Sequence, residues 1–200
     1  MSGPPDELRP TQGRRPELPF PYGPFSTLCA SCMQAMTLNL VGDYDTAAQL
    51  GQRQVSVSHR HRFAIWRLDG VLHLLANSSR RRELDACDKL VEAVGTLRHV
   101  LGVDGWTRYR LTMLAVAEER ARRAGESMDS FQEAMYVSAA TGSASFSAEA
   151  PRGRRDLRFA LGDSRGGTAD LVAAVELACR QGALSFEQRA NAALERASAP

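Results

Sequence analysis

The sequence predicts a mainly α (α+β) fold: a helical domain with a small antiparallel β-hairpin or meander near residues 53–76. Three observations lead there. Apolar residues recur with the 3.6-residue helical period through most of the chain. One stretch, "QVSVSHRHRFAIWRLDGVLHLLANSS", alternates instead and carries Asp69-Gly70 between two apolar runs. Asp-Gly is a hairpin signal because both residues of the tight turn need φ > 0. Hydrophobic residues make up 44% of the 200, enough for a core and against wholesale disorder.

The elements follow in chain order. Residues 1–24 hold most of the nine prolines and few aliphatics, so a flexible, extended arm is expected there, with 25–200 as a single domain. "FSTLCASCMQAMTLNLV", 25–41, places apolar or thiol groups at 25, 28, 29, 32, 33, 36 and 40, a helical face with Ser26 or Thr27 as cap. A turn and a short helix follow, then the hairpin, in which Leu68 would face Val71 and Trp66 would face His73. From Ser78 a helix sets Leu84, Cys87, Leu90, Val91, Val94, Leu97 and Leu101 on one side. A second helix begins after "VDGW", with a basic last turn and Gly125 as its stop. In a third, Ser130 and Glu133 fit a capping box. Residues 142–156 read as a flexible Arg-rich loop and "DLRFAL" as a strand. Two closing helices, capped by Thr168 and Ser185, are separated by Gly182. No internal repeat is visible.

Charge is the most uneven feature. The chain nets only +2, but its bases are one lysine, Lys89, and otherwise arginine. Codon usage alone produces such a bias; selection for bidentate phosphate or carboxylate contacts also does. Arg53, Arg60, Arg62, Arg67, Arg80, Arg81 and Arg82 face a single acid, Asp69, within thirty residues. On a continuous strand Arg60 and Arg62 point with Trp66. A basic ribbon carrying an aromatic, followed by three arginines at a helix start where they oppose the helix dipole, reads as a phosphate-binding footprint. Arg152, Arg154, Arg155 and Arg158 form a second group, in a loop able to order on a phosphate backbone.

Cys29 and Cys32 are spaced i, i+3 on the first helix, and His59 and His61 share a strand face. Two thiolates and two imidazoles suit tetrahedral zinc. Against zinc, the cysteines sit mid-helix rather than on a knuckle turn, and the C-x2-C-x26-H-x-H spacing matches no finger pattern. The other reading is two small thiols on a buried helix face.

"FALGDSRGG", 159–167, is similar to the Gly-Asp-Ser nucleophile block of the GDSL hydrolases, which would make Ser164 a nucleophile. No histidine follows His99, so the hydroxyl lacks the base that the resemblance requires. The same stretch has part of a P-loop spacing, but Gly167 stands where the lysine belongs, which leaves at most passive anion binding at a helix start.

These residues predict a non-enzymatic, nucleic-acid-binding or assembly protein that neutralises RNA or DNA phosphates, with apolar helix faces free for a homo-oligomer. By analogy of type this suits a viral capsid, matrix or suppressor role. Two alternatives remain: a protein-interaction module using the Pro-rich arm, and a structural zinc-binding domain. No resident cofactor other than zinc is expected. The absence of an apolar run of about 18–20 residues predicts no membrane span. Four cysteines without a secretory h-region predict an intracellular protein.

Overall fold

The structure, a computed structural model, describes residues 23–81, 83, 85–102, 106–141 and 146–198. Every element among them is an α-helix: α1 (Gly23–Val41), α2 (Tyr44–His61), α3 (Ala64–Arg80), α4 (Ala86–Leu101), α5 (Thr107–Arg120), α6 (Ala124–Thr141), α7 (Glu149–Ala160), α8 (Ser164–Gln181) and α9 (Leu184–Ser198). Each helix packs on the next in sequence. Farther contacts tie α1 to α3, α3 to α5 and α5 to α7. α5 is central, with buried residues on every side. The main core joins Leu72 of α3, Leu90, Val94 and Leu97 of α4, Leu111 and Leu114 of α5, Phe131 and Val137 of α6, and Leu157 of α7.

The expected β-hairpin or meander at 53–76 is absent: that segment forms the second half of α2 and most of α3, and no strand occurs among the described residues. Alternation in "QVSVSHRH" misleads because the buried side of α2 is Ala47, Gly51, Gln54 and Ser58, a helical 4-3-4 spacing built mostly from residues that are not hydrophobic. Asp43 caps this helix by accepting the Thr46 amide at 3.2 Å. Asp45 in the first turn and His59, Arg60 and His61 in the last suit its dipole.

Asp69-Gly70 is not a turn but the middle of α3. Gly70 meets Gly51 of α2 so closely that a Cβ on Gly51 would lie 2.8 Å from the Gly70 carbonyl oxygen, and one on Gly70 would lie 2.9 Å from that of Gly51. The glycine serves helix approach rather than positive φ. Asp69 is buried at 6% exposure.

Further expectations are corrected downstream. The helix expected from Ser78 is two: α3 runs to Arg80 and α4 starts at Ala86. Arg80 therefore lies in a last turn, where a cation suits the dipole, not in a first turn that it opposes. The left-handed residue after α5 is Arg122 (φ 62°), while Gly125 lies inside α6, as does Ser130. The expected loop at 142–156 and the strand "DLRFAL" give way to α7, although 142–145 lie outside the described residues. Pro151 sits in the first turn of α7, where a missing N–H costs nothing. Gly153 lies against the Phe131 ring, where a Cβ would be 2.7 Å away. Asp163, not Thr168, caps α8, accepting the Gly166 amide at 2.8 Å. The Pro-rich arm lies outside the described residues up to residue 22.

One turn recurs through the fold. Gly42, Arg62, Arg122, Gly162 and Gly182 all take positive φ, and the residue after each donates its amide to a carbonyl five residues back in the helix. The pairs are Asp43 to Leu38, Phe63 to Ser58, Arg123 to Glu118, Asp163 to Arg158 and Ala183 to Ala178, each at 2.9 Å. This is the Schellman close of a helix, and it launches the next helix immediately.

Candidate functional site

Two places stand out: a polar centre enclosed by α1, α3 and α5, and a basic edge where α2 turns into α3.

The polar centre begins with Asp69 and His73, four residues apart on the inner face of α3. α1 contributes Cys32, whose thiol donates to Asp69 Oδ2 at 2.7 Å. α5 contributes Arg110, whose Nη2 donates to Asp69 Oδ1 at 3.3 Å. From α2, Gln54 Nε2 reaches the Trp66 carbonyl oxygen at 3.0 Å and Asp69 Oδ2 at 3.4 Å. The buried carboxylate thus has a cation on one oxygen and neutral donors on the other, the arrangement that keeps a buried charge tolerable. His73 is 1% exposed. Its Nδ1 lies 3.0 Å from Asn39 Nδ2, which also donates to the Tyr109 hydroxyl at 3.1 Å. Its Nε2 faces Asp69 Oδ2 at 4.0 Å and makes no hydrogen bond.

Burial governs protonation here. It pushes the Cys32 thiol well above the usual thiol range, and the Asp69 charge adds to the shift. It holds the His73 imidazole below its ordinary value against the opposing pull of Asp69. It also raises the Tyr109 phenol. Among the described residues, Cys32, Asp69 and His73 are the group whose potential ligand atoms come together, all within 4.8 Å of one another. Cys32 and Asp69 also line a cavity of about 540 Å³, walled by Phe25, Phe63, Trp66 and Trp106 and flanked by Arg62 and Arg110.

The expected zinc set is not brought together. Cys32 is buried, Cys29 is exposed on α1, and His59 and His61 are exposed at the end of α2, with the His61 ring stacked on Phe63 at 6.0 Å. Only Cys32 belongs to the polar centre. Sequence reasoning misses Asp69 and His73 because Asp-Gly reads as a turn and His73 falls in the strand that the turn implies. The signal for them is an Asp and a His spaced i, i+4 inside the otherwise apolar "LDGVLHLLA".

The expected basic ribbon is divided. Arg53, Arg60, Arg62 and Arg67 are exposed, and none has an ion pair among the described residues. Arg60 lies in the last turn of α2, Arg62 is the left-handed turn residue (φ 58°), and Arg67 is in the first turn of α3. Arg53 lies two turns earlier on α2. Trp66 is half-buried, its ring edge-on to Phe25 at 5.4 Å, so it packs rather than standing among the charges. Arg80 turns away from the edge and lies over the Tyr44 ring at 3.0 Å. Arg81 pairs with Asp45 at 2.6 Å. Arg82 lies outside the described residues. The second arginine group is consumed internally: Arg154 grips Asp170 at 2.9 and 2.5 Å, Arg158 reaches Asp163 at 2.8 Å, and Arg152 reaches Glu149 at 2.9 Å.

Ser164 opens α8 on the surface, and its neighbour Asp163 is spent as helix cap. Of the amides that a passive anion would take, that of Gly166 is therefore already bonded. Among the described residues no helix is long and apolar enough to cross a membrane. No protein-family model matches the chain, and no curated protein matches it.

Proposed function

We propose that this is a non-enzymatic, nucleic-acid-binding helical protein whose working surface is the α2–α3 turn. One observation carries the reading: Arg53, Arg60, Arg62 and Arg67 stand exposed with no acid in ion-pair reach among the described residues, whereas the arginines of α7 are neutralised at home. Unneutralised guanidiniums, three at one end of a helical hairpin and Arg53 two turns back along α2, suit phosphate contacts, which need no base readout and no loop ordering. Arg80 and Arg81 no longer belong to this surface, since each has an internal partner.

A second reading has its own support. Phe25 is 55% and Ile65 39% exposed beside the same turn, at the mouth of the apolar cavity, as a protein-docking patch would be.

The experiment is titration of labelled single- and double-stranded RNA and DNA across a salt series. The wild type is compared with Arg53/Arg60/Arg62/Arg67→Gln and with Arg80/Arg81→Gln. The reading is supported by binding that weakens steeply with salt, provided the slope falls by roughly 0.9 per phosphate left unneutralised in the first variant and is unchanged in the second. Absence of binding at low salt removes it and leaves the docking patch.

A further inference from the structure

The polar centre makes no use of His73 Nε2. A buried ring nitrogen without a partner is costly, and few are left so in folded chains. The atoms around it are those of a metal site. Cys32 Sγ and Asp69 Oδ2 are 2.7 Å apart, Asp69 Oδ2 and His73 Nε2 are 4.0 Å apart, and all three ligand atoms fall within 4.8 Å of one another. Bonds of about 2.0–2.3 Å to zinc at tetrahedral angles separate neighbouring ligands by roughly 3.3–3.6 Å, between these values. The thiol and carboxylate need only part, and the imidazole close in, by about an ångström, which side-chain torsions supply.

The surroundings fit as well. A metal-bound Nε2 requires its proton on Nδ1, and Nδ1 then requires an acceptor. Asn39 provides one when its amide is turned end for end: Oδ1, which has no partner in its present orientation, then accepts both from His73 Nδ1–H and from the Tyr109 hydroxyl. Arg110 holds the other carboxylate oxygen and steadies Asp69 from outside. Cys32 and Asp69 line the 540 Å³ cavity, so a fourth coordination position has room there.

We propose that Cys32, Asp69 and His73 bind one zinc-class divalent ion, with the fourth position toward the α1–α3 cavity. Binding displaces the thiol proton to solvent; no oxidation is involved. The site shares one residue, Cys32, with the set that the sequence spacing suggests, and it stands independently of the nucleic-acid reading.

The test uses the full-length chain, freed of metal, then equilibrated with zinc and separately with cobalt. The wild type is expected to retain about one ion per chain, to melt at higher temperature with zinc, and to give the thiolate-to-cobalt charge-transfer band. Cys32→Ser should abolish that band. Asp69→Asn and His73→Gln, which keep size and polarity, should lose the ion, and Asn39→Ala should weaken it about 10–100-fold. Cys29→Ser and Cys179→Ser should bind as the wild type does. Helical content of each variant is read by circular dichroism, and Cys32→Ser serves as the folded reference should His73→Gln fail to fold. A wild type that takes up no ion, or uptake that survives Cys32→Ser or depends on Cys29 instead, overturns the proposal.

Discussion

The α2–α3 and α7–α8 hairpins are built from the same plan and held by opposite means. Each is a pair of helices joined by the same left-handed turn, and each carries a group of arginines. In α2–α3 the helices meet backbone to backbone at Gly51 and Gly70, and the arginines stay outside. In α7–α8 the arginines are the fastening, since Arg154 and Arg158 both clasp Asp170, a carboxylate 4% exposed. Two runs that look alike in sequence therefore differ in what remains for a partner. An arginine cluster indicates binding only after its acids have been located, and those acids are distant in sequence: Asp170 lies sixteen residues from Arg154.

The sharpest way to break this contrast is Asp170→Asn. It takes the carboxylate from half-buried Arg154 and leaves Arg158 with Asp163 alone, and should cost about 3 kcal/mol in urea unfolding. A deficit under about 1 kcal/mol would mean that the α7–α8 arginines are as dispensable as the others. On the other hairpin, Gly51→Ala drives a methyl into the Gly70 carbonyl and should cost about 2 kcal/mol, read from the same transition. Neutral behaviour there would deny that close approach holds α2 on α3. Smaller still, Arg122→Gly should stabilise by about 1 kcal/mol, since glycine takes the left-handed turn without strain. Smallest is Arg53/Arg60/Arg62/Arg67→Gln, expected to shift stability by less than about 0.5 kcal/mol. Marked destabilisation of that variant would show that these side chains are structural and remove the basis for reading them as a docking surface.

Two helices rich in apolar residues are legible in the sequence: the segments expected over 25–41 and through "KLVEAVGTLRHVL" correspond to α1 and α4, although Phe25, Cys29 and Met33 of the face expected on α1 are exposed. What fails is reading chemistry from residues that serve packing. Gly70 follows an Asp and so looks like a turn, yet it is there because α2 leaves no space for a Cβ. Gln54 and Ser58 look solvent-facing, yet each is 1% exposed. "APRGRRD" looks like a loop because proline and glycine break helices in general. Here one sits harmlessly in a first turn and the other makes room for Phe131. Of the polar centre, only Cys32 is legible, because its partners come from three other helices, and Gln54, Asp69 and His73 are hidden inside the mistaken hairpin.

The recurring turn also shapes how the chain reaches this form. Where a helix closes in a Schellman turn and the next starts at once, the two come together after a few residues of chain, so ring-closure entropy is small. Helices accordingly pack mostly on their neighbours in sequence. Packing this local lowers contact order, which among small two-state domains goes with fast folding. The exceptions are the contacts that skip a helix, α1 on α3, α3 on α5 and α5 on α7, which close longer loops. The contact of α3 with α5 is also the one that encloses Asp69 and Arg110, so the buried ion pair depends on packing between helices that are not neighbours in sequence.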